Sequence, residues 1–145
     1  MRGKTADLQR LFLIVKWCIK TKAIVDDVKT YEKFISRENY LLVDGAAFCI
    51  GQIGEHAHNL SDEMKETIAE IPWRQISNMR NRLFHDYESR DKKIIWKVIT
   101  EDIPILSERC LEVLRAENSE VDAEIRAELM EETNIFDEGR ANENR

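Results

Sequence analysis

Two prolines and five glycines in 145 residues leave few places where the chain must break. In a helix interior glycine costs roughly 1 kcal/mol and proline roughly 3 kcal/mol relative to alanine, so their scarcity makes long helices the expectation. The three cysteines, Cys18, Cys49 and Cys110, are odd in number and far apart, with no CxxC and no His/Cys ligand spacing. That argues against both a structural zinc site and a disulfide framework. They are expected to be small buried apolar side chains in a reduced, cytoplasmic compartment. No apolar run approaches the roughly 20 residues of a membrane span. The longest, LFLIV at 11–15, is cut by Lys16 and Lys20; a charged helix follows it and no small-residue cleavage site appears, so a secretory signal peptide is not expected.

Hydrophobic residues make up 43% of the chain and charged residues 34%, a balance suited to one domain with a single sizeable core. The net charge of −6 is unevenly spread. From Glu117 to Arg145, ten acidic residues stand against three basic ones, a charge of −7 that leaves residues 1–116 at +1. Within that part, Arg74 to Lys97 holds seven basic residues against three acidic ones, or +4. A basic stretch favours an anionic ligand, although a surface charge run also serves simply as a solvated face.

Helical periodicity dominates. Leu8, Leu11, Phe12, Val15 and Ile19, continued by Ile24, Val25 and Val28, predict one long helix or two in succession over 5–35. Leu42, Ala46, Ile50, Ile53, Ala57 and Leu60 step by three and four, a stripe that packs one helix on another at a shallow angle over 39–60. Gly45, Gly51 and Gly54 are costly there and imply close approach of a neighbouring backbone, within the chain or across a subunit interface. Ser61 reads as the N-cap of a short helix at 62–69, and Pro72 as a stop before a helix from Trp73 to about Phe84. IIWKVI at 94–99 suits a helix or an extended connector, and Asp102 and Pro104 open a last core helix. Val121, Ile125 and Leu129 suggest a short amphipathic helix in an acidic extension, with a disordered end. The expected fold is all-α: an antiparallel up-and-down bundle over 1–116 and an acidic tail over 117–145.

The densest chemistry lies in RNRLFHDY, Arg80 to Tyr87. On a helix, Ile76, Met79, Leu83 and Tyr87 form a buried stripe, while Asn78, Asn81, Arg82 and His85 share the polar side. Arg80 falls roughly 140° around the axis from His85. The two meet only if the helix ends near His85, if the Arg80 side chain reaches around, or if a second subunit presents its own copy. Each residue has a structural reading. The arginine stems cover core, His85 complements a helix C-terminus, and Tyr87 packs with a wet hydroxyl. The chemical reading joins them. Histidine exchanges protons near neutral pH and arginine is a permanently charged fork for phosphate. That pair suits cleavage of a phosphodiester carrying its own nucleophile, as RNA does in its 2′-hydroxyl.

RNRLFHDY resembles the RX4HXY signature of HEPN-domain toxins of the HepT type, with Arg80, His85 and Tyr87 in register. The flanks are similar to that family too: GQIGEHAHNLSDE at 51–63, IPWRQISNMRNR at 71–82 and IIWKVITEDIPIL at 94–106, in the family's order over about residues 5–115. The resemblance implies an α-helical dimer whose two motifs face one cleft, and a ribonuclease toxin that needs no metal or cofactor. It implies an MntA-type nucleotidyltransferase antitoxin that transfers AMP from ATP onto Tyr87. Arg80 and His85 are then the catalytic residues, with Asn81 and Arg82 as polar helpers. AMP on Tyr87 adds bulk and negative charge where RNA phosphate must sit. His56 and His58 depart from the family's usual small residues and are expected to be structural.

Two other classes fit parts of the pattern. One is a binding module that grips a nucleotide for a nucleotidyltransferase without cleaving anything. The other is a purely structural dimerising bundle, which needs none of Arg80, His85 and Tyr87 at that spacing.

Overall fold

A computed structural model of the protein describes residues 2–85 and 91–117, together with 120, 123, 124 and 127; of residues 2 and 81–85 it describes the backbone. The described residues are helical throughout their regular structure: α1 (Arg2–Val28), α2 (Tyr31–Phe34), a 3-10 turn (Arg37–Asn39), α3 (Tyr40–His58), α4 (Asp62–Thr67), α5 (Trp73–His85), α6 (Lys92–Lys97), a π turn (Val98–Asp102) and α7 (Ile103–Glu117). Among them no helix is long and apolar enough to cross a membrane.

Local chemistry sets the boundaries. α1 closes where Lys29 takes a φ of 64°, the left-handed conformation that ends helices. Thr30 and Ser61 cap α2 and α4, their hydroxyls accepting from the Lys33 and Met64 N–H groups. IIWKVI is helix, opened by Asp91, whose carboxylate accepts from the Lys93 N–H at 2.9 Å. From Lys92 to Glu117 the chain stays helical through the π turn, where the Ile103 N–H reaches back five residues to the Val98 carbonyl. That widening comes just before Pro104, which lacks an N–H and whose ring crowds the preceding turn, so Pro104 adjusts the helix instead of breaking it.

The long helices form an antiparallel bundle with α1 between α3 and α7. The start of α1 meets the end of α3, where Asp7 accepts from the Ser61 N–H at 2.9 Å. Midway, Trp17 meets Phe48 edge to face at 5.5 Å, and near the far end Ile24 approaches Gly45. On the other side Lys4 pairs with Glu117 at 2.9 Å. α3 is enclosed by α1 and α5, and nine of its residues are buried. That is a wider apolar face than a two-helix stripe, because a central helix has neighbours on several sides. Trp96 closes one end of the core against Phe34 and Tyr31.

The three thiols sit in this core on three different helices: Cys18 on α1, Cys49 on α3 and Cys110 on α7. Burial pushes the Cys18 thiol well above its usual value, and pushes Cys110 up to about 12.

Candidate active site

α5 is amphipathic along its described length. Trp73, Ile76 and Ser77 are buried, Met79 is half-buried, and Arg74, Gln75 and Asn78 are exposed. The Trp73 indole N–H donates to the Ile68 carbonyl at 3.0 Å, anchoring the first turn against the segment behind it. The buried face lies on α3, and Gly54 is a tight point of that contact. A methyl group placed there would stand 2.9 Å from the Ile76 carbonyl oxygen and 3.2 Å from the Arg80 Cβ. Close approach within the chain is therefore what this glycine permits.

Gly54 brings the next residue level with Arg80. The Arg80 Nη1 is ion-paired to Glu55 Oε2, with 25% of the arginine side chain and 51% of the glutamate side chain exposed. The amide of Asn59, the residue that caps the C-terminus of α3, donates to Glu55 Oε1 at 3.3 Å and to the Glu55 carbonyl at 3.0 Å. The Arg80 hydrogen bond, assisted by its charge and by Asn59, holds the Glu55 carboxyl below the usual range against the opposing effect of desolvation. Beside it, burial and then the charge of Arg10 push His56 down, and its Nδ1 is enclosed without a hydrogen-bond partner. His58 is exposed.

Arg80 thus stands at the surface of the α3–α5 contact, within the basic stretch identified from sequence. Asn81, Arg82 and His85 belong to α5, the last of them at its final described residue. Their side chains, and all of Tyr87, lie outside the described residues. Of the three ways for Arg80 to meet a histidine, reaching around its own helix is disfavoured, because Glu55 holds the guanidinium against α3.

Glu55 and Asn59 are site residues that sequence reasoning did not single out. They lie inside the GQIGEHAHNLSDE segment, but the Arg80 pair spans 25 residues between helices, and no periodicity within one helix reports such a contact. The usable signal was Gly54: a costly glycine beside a lone carboxylate, on a helix expected to pack closely on its neighbour.

The family described as Ribonuclease HepT-like matches residues 15–113 of the chain. A protein of Thermococcus cleftensis named "Probable ribonuclease HepT" is 31% identical over 86 residues, covering 57% of this chain and 78% of that one. A protein of Caldanaerobacter subterraneus subsp. tengcongensis named "Putative RNase" is 38% identical over 65 residues, 45% of this chain and 58% of the relative, so the chain spans little more than half of that protein's length. No solved structure matches the chain.

Proposed function

The chain belongs to the HepT-like ribonuclease family, and from that premise we propose that it is the toxin of a toxin–antitoxin pair, an endoribonuclease that cleaves RNA without a metal ion. The observation that carries this reading is that the family match spans the whole of Arg80–Tyr87, within the most basic stretch of the sequence, while the Arg80 side chain stands 25% exposed. In the proposed reaction His85 takes the proton of an RNA 2′-hydroxyl, and the oxygen attacks the adjacent phosphorus. The 5′-oxygen departs with a proton, leaving a 2′,3′-cyclic phosphate. Arg80 stabilises the charge that develops on the phosphate oxygens, with Asn81 and Arg82 as polar support. RNA brings its own nucleophile, so no bound ion is needed to make one.

The active form is proposed to be a dimer with the two motifs facing one cleft. Leu41, Phe48 and Glu55 are spaced seven apart on α3, and Leu41 and Phe48 are 64% and 51% exposed. An apolar stripe leading to the Arg80 partner is a suitable seat for a second copy. Control is proposed to come from an MntA-like nucleotidyltransferase that attaches AMP to Tyr87.

The test is RNA cleavage by purified protein in EDTA, comparing wild type with Arg80→Ala and His85→Ala, with masses measured for peptides containing Tyr87. Wild-type cleavage ending in cyclic phosphate, reduced by about 100-fold or more in both variants, is the expected result. An AMP-sized mass on Tyr87 after exposure to the antitoxin and ATP is expected as well. If unmodified wild type leaves a broad set of RNAs intact, the nucleotide-gripping partner subunit becomes the better reading.

A further inference from the structure

We propose that Glu55 is the positioning residue of Arg80, fixing the guanidinium from α3 so that its remaining N–H donors face the scissile phosphate. The assignment rests on the ribonuclease reading for its kinetic consequence, and on geometry for the rest. Arginine has several rotatable bonds and five donors, and a fork held at one nitrogen loses less freedom when it grips a phosphate with the others. Glu55 contacts Nη1. The carboxylate is itself held from its other oxygen by Asn59, which also bonds the Glu55 carbonyl. Gly54 sets the spacing, since a side chain there would collide with the α5 backbone and with Arg80 itself. A pair this exposed adds little to stability, so a purely structural purpose does not account for a carboxylate that grips the guanidinium, is itself held by Asn59, and is brought within reach by Gly54.

A carboxylate beside a phosphate site also repels the substrate, and this allows the idea to fail. If Glu55 merely competed with RNA for Arg80, its removal would raise kcat/KM. If it positions Arg80, Glu55→Ala lowers kcat by about 10- to 100-fold with little change in KM, because misplacement costs the transition state more than binding. Glu55→Gln, which keeps a hydrogen-bond acceptor, lies between Glu55→Ala and wild type. Glu66→Gln, an equal charge change on the exposed face of α4, serves as the control and stays near wild type.

The second readout is the Arg80 Nε–Hε resonance, assigned by its disappearance in Arg80→Lys. It is expected to be resolved in wild type and to collapse toward the position of unstructured arginines in Glu55→Ala. Cleavage by wild type with kcat and the resonance both unchanged in Glu55→Ala overturns the positioning role and leaves the ribonuclease standing. A wild type that cleaves no RNA, with the resonance still lost in Glu55→Ala, removes the ribonuclease and leaves the positioning of Arg80 intact. A rise in kcat/KM for Glu55→Gln beyond that of Glu66→Gln overturns positioning in favour of competition.

Discussion

At His56, burial and the charge of Arg10 disfavour the imidazolium more strongly than Glu55 favours it. Its folded pKa lies below the ordinary 6.5, so over the window beneath 6.5 the unfolded chain binds more protons than the folded one. The stability it contributes is present above that window and is lost as pH falls through it. Glu55, held below 4.5 but exposed, adds only a small stabilisation above its ordinary value and loses it as pH drops through the lowered one. The two windows do not coincide. His56→Leu should flatten the upper part of a plot of Tm against pH, and Glu55→Gln only the acid end. Thermal unfolding from pH 7.5 to 3.5 checks both; a slope just below pH 6.5 that persists in His56→Leu would place the sensitive group elsewhere.

At the scale of elements, Gly45 and Gly54 of α3 behave as opposites. At Gly45 a methyl group would meet Ile24 Cδ1 at 4.0 Å, ordinary contact, so Gly45→Ala should stabilise the protein by about 0.5–1 kcal/mol through helix propensity. Gly54→Ala must separate α3 from α5 and should destabilise by about 1–3 kcal/mol while lowering cleavage, since Arg80 moves with the contact. Urea unfolding of the pair measures the contrast. Ser61 is a further junction: its hydroxyl caps α4 and meets the buried Asp7 carboxylate of α1, so Ser61→Ala should cost about 1–3 kcal/mol. Most of these elements were legible in the sequence because each announces itself locally: Ser61 before α4, Pro72 before Trp73, and a stripe of threes and fours in α3. The breadth of burial on α3, the continuity of the helical run past Pro104, and the Glu55–Arg80 pair were not. Each depends on which helix lies alongside, and that information is spread over residues distant in the chain.

For the whole molecule, the proposed two-copy cleft makes a prediction that no single chain satisfies. Arg80→Ala and His85→Ala proteins, each inactive alone, should regain part of the cleavage when mixed after unfolding and refolding together. Phe48→Glu, which places a charge on the exposed stripe of α3, should abolish that recovery and leave a monomer in sedimentation. Recovery of activity by mixed chains that sediment as monomers would refute the shared cleft. The buried thiols offer another view of the same assembly. Cys18, Cys49 and Cys110 are each at most 5% exposed, and their helices form three distinct parts of the bundle. A thiol reagent therefore has no target until a helix lifts away. With two of the three cysteines replaced by serine in turn, the labelling rate of the remaining one becomes a clock for its own helix, and the three clocks together would give the order in which α1, α3 and α7 come apart.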